Sequence, residues 1–301
     1  MKHFEQYDLL EDSNHILWVV LASINNETVL AHPKYILNEN DREYYTRISN
    51  PVSPERNNFQ EFSNALRIGC RDYLVKITSE YKGHRAIPFD INNLPNDAIY
   101  SVAKDIFNTI IPIVGSENIG FTGSILLKTA KDNYSDIDVV MTNMGYSLYK
   151  ENIEKQHYFS RRTTDEWEYF YKKYNISTVL SQQEFAFYQK DKSNQISYKG
   201  IDVSIFIRDE NPLLLLLSSF NINYGKSVNL IGKCIFAKMD TLPGLIIIEN
   251  EGKNITILNM HRTYQCLDCF EHIVHVVGTS ISNDGLIVVN YNSIDVIRYA
   301  E

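Results

Sequence analysis

Residues 119–141 read IGFTGSILLKTAKDNYSDIDVVM, and this stretch predicts the centre of the fold. A short apolar strand over 118–121 leads into a Thr-Gly-Ser turn at 122–124, and a helical stretch, Ile125–Lys131, follows the turn. Asp136–Met141 alternates carboxylate and apolar side chains, which is typical of a strand with one buried face. The mixture of strands and helices along this stretch predicts the α+β class.

Three carboxylates are the candidate chemical groups of this region. Asp136 and Asp138 are two residues apart on one predicted strand, so their side chains point to the same face. Asp202 lies on a second alternating run, IDVSIFI over 201–207. Carboxylate oxygens are ligands for Mg²⁺, and two such ions can hold the attacking and the leaving oxygen of a phosphoryl transfer. A turn that opens a helix, as at Gly123, offers backbone N–H groups to a phosphate.

The combination of these motifs resembles a known family. GFTGS at 120–124, DID at 136–138 and the later IDV at 201–203 are similar to the active-site pattern of the DNA polymerase β-like nucleotidyltransferase superfamily. The segments GHRAIPFD at 83–90 and YKGIDVSIFI at 198–207 widen the resemblance to archaeal predicted nucleotidyltransferases of about this size. The resemblance implies a nucleotidyltransferase core, in which a mixed sheet carries flanking helices.

The resemblance also implies a role for each matching residue. Gly123 and Ser124 would contact the triphosphate of the nucleotide. Asp136 and Asp138 would ligate two Mg²⁺ or Mn²⁺ ions. Asp202 would complete the catalytic and metal site and help to deprotonate the acceptor.

Two lysines are further candidates for nucleotide binding. Lys128 stands where such relatives often carry glycine, and it either reaches a phosphate or faces solvent. Lys199 precedes the strand of Asp202 in a locally basic segment, residues 145–200, which holds nine Lys or Arg and seven Asp or Glu. Arg161 and Arg162 belong to the same segment; a phosphate or RNA contact and an ordinary solvated helix surface both remain open for them.

The predicted activity is the metal-dependent transfer of an NMP from an NTP to an acceptor hydroxyl, with release of pyrophosphate. ATP is the default NTP, and the acceptor is an RNA end, a protein or a small molecule. The alternative is a catalytically idle nucleotide- or RNA-binding module, or a scaffold subunit, that uses the same pocket without turnover. No oligomeric state is predicted.

Composition limits the class of protein. The chain has 301 residues, 44% hydrophobic and 22% charged, which excludes fibrous and disordered classes. With a net charge of −8, the chain has no overall excess of basic residues for binding nucleic acid. The polar opening MKHFEQYDLL, a longest apolar run of only five residues and four cysteines predict a cytoplasmic protein with free thiols and no membrane contact.

Changes in pattern along the chain predict three domains. Residues 1–90 form a β-rich N-terminal module, with a hairpin of Ile16–Ala22 and Thr28–Tyr35. Residues 91–226 form the nucleotidyltransferase catalytic core, with 146–190 mostly helical. Residues 227–301 form a small β-barrel of the OB type. Its five candidate strands are VNLIGKCIFAKM, LIIIENEGKNITIL, HIVHVVGTSI, GLIVVN and DVIRYA.

The C-terminal region carries two weaker signals. It holds five Lys or Arg and eight Asp or Glu from residue 228 onward, so packing or a protein partner is favoured over an oligonucleotide. Cys266 and Cys269 lie near His261, His272 and His275, but a structural zinc site usually has two spaced ligand pairs, and only one cysteine pair is present.

Overall fold

The computed structural model describes residues 4–38, 41–47, 65–67, 73–131, 136–152, 159–173, 180–190, 192–209, 226–281, 285–289 and 295–300. Within these ranges the chain is a mixed α+β protein with three β-sheets, which confirms the predicted class. None of the helices in these ranges is long and apolar enough to cross a membrane.

The first sheet, here called the N-terminal sheet, contains the predicted hairpin. Its strands are β1 (Leu9–Glu11), β2 (Ile16–Asn25), β3 (Thr28–Asn38), β4 (Asp41–Arg47), β5 (Ala65–Arg67), β6 (Tyr73–Lys76) and β7 (Lys82–His84). They run in the order β5-β6-β3-β2-β1-β7, with β4 beside β3. Strand β2 is buried on both faces, because Trp18 packs into the core of its own sheet whereas Leu17 and Val19 pack with Val140 of the next sheet.

The second sheet, here called the central sheet, has five strands in the order β10-β11-β12-β9-β8. Its strands are β8 (Ile119–Phe121), β9 (Ile137–Thr142), β10 (Phe159–Arg161), β11 (Gln195–Tyr198) and β12 (Ile201–Arg208). Strands β9 and β12 are parallel, and the other neighbouring pairs are antiparallel. This parallel pair brings the two predicted aspartate-bearing strands side by side.

The described ranges contain five α-helices. They are α1 (Ala98–Val114), α2 (Gly123–Leu126), α3 (Asn143–Asn152), α4 (Thr164–Lys173) and α5 (Gln182–Gln189). Helices α1, α2 and α3 pack with the central sheet, whereas α4 and α5 pack with the third sheet. Ile106 and Ile110 of α1 and Tyr149 of α3 share one buried cluster with Val139 and Ile205 of the sheet. Helices α1 and α3 therefore cover one face of the central sheet and leave the other face for the neighbouring sheets.

Two predicted helical regions differ from the structure. The predicted helix Ile125–Lys131 is the single turn α2, which ends at Leu126, because Lys128 adopts a left-handed φ of 59°. The region 146–190 is interrupted by the strand β10, which forms the edge of the sheet beside β11. Strands β10 and β11 are defined by their pairing with each other across a long stretch of sequence. Local periodicity does not report such pairing.

The third sheet closes into a five-stranded barrel, as predicted. Its strands are β13 (Ser227–Lys238), β14 (Gly244–Asn250), β15 (Lys253–Asn259), β16 (Ile273–Ser280), β17 (Leu286–Val289) and β18 (Val296–Tyr299). The ring runs β13-β14-β15-β17-β16 and returns to β13. One predicted strand is wrong, because LIIIENEGKNITIL is a hairpin of β14 and β15. The terminal run is a strand as predicted, but this strand, β18, pairs with β16 and lies outside the closed ring.

A buried ion-pair cluster ties the three sheets together. Arg208, at the end of β12, donates from Nη2 to Asp8 Oδ1 over 2.9 Å and from Nε to the carbonyl oxygen of Gln6 over 3.0 Å. Asp209, the next residue, forms an ion pair with Lys238 of the barrel. The segment around residue 8 is thus fixed between the central sheet and the barrel.

Candidate functional site

Two parallel strands place the three predicted carboxylates on one face of the central sheet. Ile137 of β9 and Val203 of β12 are register partners, and Asp136 and Asp202 each precede one member of this pair. Asp138 follows two residues after Asp136, so the three carboxylates point to the face opposite Ile137 and Val203. The structure therefore brings together residues that are 64 positions apart in the sequence.

Polar side chains continue this face across the sheet. Ser204 is the register partner of Asp138, and Gln195 on β11 is the partner of Ser204. Ser197 on β11 is the partner of Asp202. Buried polar groups are costly unless they meet partners, so a polar face between apolar layers is typical of a binding surface.

Gly123 lies directly against the Asp138 carboxylate. A Cβ atom at residue 123 would approach Asp138 Oδ2 to 2.8 Å and Lys34 Nζ to 3.3 Å, and the φ of Gly123 is +61°. The backbone N–H of Thr122 donates to the Asp138 carbonyl over 3.0 Å, which holds the turn beside β9. Glycine is required at residue 123 both for its conformation and for the close approach of a carboxylate.

The other predicted nucleotide-binding residues differ in position. Ser124 is partly exposed and follows Gly123 in α2, so it belongs to the same turn. Lys128 is exposed at the end of that turn. Lys199 lies in the turn between β11 and β12, and its Nζ is 2.9 Å from Asp105 Oδ2 of α1. This ion pair directs Lys199 toward the helix that covers the other face of the sheet, away from the three carboxylates.

The N-terminal sheet supplies a cation to the site. Lys34, on β3, places its Nζ 3.3 Å from Asp138 Oδ2. The Lys34 side chain is only 17% exposed, and its Nζ lies 5.4 Å from the centre of the Tyr35 ring. Lys34 of the N-terminal sheet therefore balances the charge of Asp138.

The central sheet supplies a second cation. Arg162, directly after β10, places Nη2 3.3 Å from Asp202 Oδ1. Its side chain is buried, with the guanidinium 4.0 Å from the centre of the Phe170 ring and 5.4 Å from that of Trp167. These aromatic contacts fix the guanidinium of Arg162 next to Asp202.

The barrel supplies a third cation from the 3-10 turn Arg262–Tyr264. The Arg262 guanidinium lies 4.7 Å from the centre of the Phe206 ring on β12. With the Gln195 amide oriented to satisfy both groups, its oxygen accepts from Arg262 Nε over 2.8 Å and from Nη2 over 2.6 Å. Lys192 Nζ donates to the backbone carbonyls of Arg262 and Thr263 over 3.0 and 2.9 Å, which fixes the turn on the central sheet.

Repulsion between neighbouring carboxylates marks this site electrostatically. The negative charge of Asp138 raises the pKa of Asp136 above its usual range, and crowding by protein atoms adds to the shift. The positive charges of Lys34 and Arg262 oppose the rise in the pKa of Asp136. A pair of like charges on one strand end is stabilised by a bound cation, as expected for a divalent-ion site.

The donor set fits Mg²⁺ or Mn²⁺ in part. No group of three or more His, Cys, Asp or Glu side chains in the described part of the chain is arranged to hold one metal ion. Mg²⁺ at nucleotide sites is usually bound through one or two carboxylates and the substrate phosphates, rather than by a cage of protein ligands alone. Asp136 and Asp138 match that requirement in ligand type and in their mutual repulsion.

The barrel region contains free cysteines and one histidine that caps a turn. Cys234, Cys266 and Cys269 are free thiols. His261 Nδ1 accepts from the backbone N–H of Thr263 over 3.1 Å and so caps the turn that carries Arg262. Burial lowers the pKa of His261 to about 4, with the charge of Lys192 adding to the effect, so the imidazole is neutral at pH 7.

Sequence reasoning missed Lys34 and Arg262. Both lie outside the predicted catalytic core, and only the packing of three sheets brings them to the carboxylates. A local signal existed for Arg162, which lies in the basic segment, but none existed for the other two. A lysine on a hairpin strand and an arginine in a barrel loop are ordinary features of surfaces.

Comparison with known proteins adds no family to this geometry. No protein-family model matches the chain, and no curated protein matches it significantly.

Proposed function

We propose that the protein is a metal-dependent nucleotidyltransferase. The observation that carries the proposal is the convergence of Asp136, Asp138 and Asp202 on one sheet face, with Gly123 packed against Asp138. Its support is chemical: hard oxygen ligands, a like-charge pair and a glycine turn are the parts that phosphoryl transfer from an NTP requires. ATP is the first nucleotide to test.

In the proposed reaction an acceptor hydroxyl oxygen forms a bond to the α-phosphorus of the NTP. The bond between that phosphorus and the oxygen bridging to the β-phosphate breaks, and pyrophosphate leaves with the electron pair. Asp202 is 41% exposed, so it has access to the acceptor, whose proton it accepts and passes to solvent. Two divalent ions, when bound, neutralise the phosphate charges and polarise the reacting oxygens.

The turn at Gly123 and Ser124 would position the phosphates. The positive φ of Gly123 lets the backbone turn beside Asp138, and the N–H groups of such a turn can face a phosphate. Asp136 and Asp138 would hold the ions beside that turn. Lys128 and Lys199 are less well supported as nucleotide-binding residues. Lys128 is exposed at the end of the turn, and Lys199 pairs with Asp105 on the other face of the sheet.

We assign the barrel to the OB-like class and propose that it completes the site, rather than binding an oligonucleotide. A closed five-stranded barrel is the architecture of that class. The turn between β15 and β16 delivers Arg262 to the central sheet, and the region has more acidic than basic residues. The acceptor in this proposal is therefore an exposed hydroxyl group that can reach Asp202.

The test is label transfer from α-³²P-labelled NTPs in the presence of Mg²⁺ or Mn²⁺, with RNA, protein and small-molecule hydroxyls as acceptors. The wild-type protein should release pyrophosphate and label one acceptor class. An Asp136→Ala, Asp138→Ala double variant should do neither, while a Lys199→Met variant should match the wild type. Equal transfer by the wild type and the double variant would overturn the proposal.

A further inference from the structure

We propose that Lys34, Arg162 and Arg262 form a polyphosphate site built by all three sheets, and that these cations exchange carboxylate partners for phosphate oxygens on nucleotide binding. The inference rests on the proposed function and names the residues that would recognise the triphosphate. Its first support is that the three cations come from separate sheets and converge on one cluster of carboxylates.

Two of the three cations each face a different carboxylate, and the third contacts neighbouring residues of the same sheet face. Lys34 lies beside Asp138 and Arg162 beside Asp202, both at 3.3 Å, while Arg262 is held by Gln195 and Phe206 on the same polar face. Both measured ion pairs are longer than the 2.7–2.9 Å that is usual for charge-assisted hydrogen bonds, roughly by half an ångström. Neither ion pair is therefore in its best geometry, and a stronger partner can displace it.

Charge balance favours an anionic ligand when the carboxylates bind divalent ions. Three carboxylates and three cations make the free site electrically neutral. Once Asp136 and Asp138 ligate divalent ions, Lys34 shares the Asp138 carboxylate with a metal ion, and the added charge of the ions makes the site positive. A triphosphate restores neutrality, and its oxygens suit the ammonium of Lys34 and the planar guanidinium of Arg262.

Burial of the cations selects a polyphosphate over a nucleic-acid backbone. The side chains of Lys34 and Arg162 are 17% and 2% exposed, so they line the interior of the site. The protein as a whole carries a charge of −8, which repels a long polyanion. A flexible terminal triphosphate can enter such a site, whereas a duplex or a long strand would need an exposed basic track.

The cations are held in place before a ligand arrives. Phe170 stacks on Arg162, Phe206 stacks on Arg262, and Lys192 fixes the backbone of the Arg262 turn. Little conformational entropy is then lost when phosphate binds, which favours tight binding. The barrel is therefore a required part of the polyphosphate site.

The experiment is calorimetric titration of inorganic triphosphate into the full chain in the presence of Ca²⁺. The wild type should bind, and Lys34→Met and Arg262→Met should each weaken binding about 10- to 100-fold, the loss expected for one charge-assisted contact. Lys199→Met is the matched control and should bind as the wild type, because Lys199 pairs with Asp105 on the other face of the sheet. Arg262→Lys, which keeps the charge, should lose less affinity than Arg262→Met.

A second titration separates ion binding from phosphate binding. Mn²⁺ alone should bind Lys34→Met at least as tightly as it binds the wild type, because a competing cation has been removed from Asp138. Triphosphate binding that is unchanged in Lys34→Met and Arg262→Met would overturn the inference, even if the wild type transfers label. Weakened triphosphate binding without any label transfer would overturn the proposed function and leave the polyphosphate site intact.

Discussion

Asp8 and Asp138 lie in two clusters of opposite charges at the contacts between the sheets, and the two clusters are built differently. Asp8 is fully buried, and its oxygens accept from Arg85 Nη1, Arg208 Nη2 and the backbone N–H of Ala86, each over 2.9 Å. Every oxygen of Asp8 is thus engaged by short bonds. The cluster therefore stabilises the fold, and neither oxygen of Asp8 is left to bind a ligand.

The cluster at Asp138 has longer ion pairs and neighbouring like charges. Its two measured ion pairs are 3.3 Å long, Asp202 is partly exposed, and Asp136 and Asp138 repel each other. A folding requirement does not explain two carboxylates placed side by side. The difference between the clusters indicates that short, fully used ion pairs stabilise the fold, whereas long and competing ones mark a binding site.

The largest expected effect is the loss of activity on removing one charge from the cluster at Asp138. Asp138→Asn should lower NMP transfer by about 10³-fold, because a neutral amide neither ligates a divalent ion well nor stabilises the reacting charges. Its far-ultraviolet circular dichroism should match the wild type. Transfer within threefold of the wild type would remove Asp138 from the site.

The next largest effect should come from the structural cluster, on stability alone. Asp8→Ala leaves Arg208 buried with one fewer partner, so the free energy of unfolding should fall by about 3 kcal/mol. Urea denaturation measures this change, and transfer activity per folded molecule should remain near the wild-type value. A loss of activity without a loss of stability would assign Asp8 to catalysis and contradict the distinction between the two clusters.

Lys192 is a buried cation that donates to two carbonyls rather than to a carboxylate. It should make the stability of the fold depend on pH. Burial lowers the pKa of Lys192 to about 7, so the folded state binds fewer protons than the unfolded state above pH 7. Stability should therefore rise between pH 7 and pH 9, by at most about 1.4 kcal/mol per pH unit. Lys192→Met should flatten this rise in denaturation curves, and an unchanged slope would contradict the assignment.

The smallest expected effect is a gain in stability. The raised pKa of Asp136 means that the folded state binds more protons than the unfolded state just above pH 3.8, so stability falls as pH rises through that window. Asp136→Asn should remove this fall and raise Tm at pH 7 by roughly 1–2 °C without divalent ions. A lower Tm for Asp136→Asn in EDTA would show that the carboxylate stabilises the fold instead.

The sequence was sufficient to predict the two aspartate strands, because each begins with alternating polar and apolar residues and continues into an apolar run. The hairpin of β2 and β3 and the presence of a closed barrel followed from similar local patterns. The edge strand β10 and the division of one long run into β14 and β15 were missed, since tertiary pairing defines them. Lys34 and Arg262 were missed because sheet packing alone brings them to the site.

A crystal of the protein soaked with Mn²⁺ and an NTP, examined for anomalous scattering by manganese, tests the central claim most directly. We predict a manganese peak within coordinating distance of carboxylate oxygens of both Asp136 and Asp138, with the triphosphate in contact with the turn at Gly123 and with Lys34. Manganese and nucleotide bound away from Asp136 and Asp138, or nucleotide bound on the face covered by α1, would contradict it.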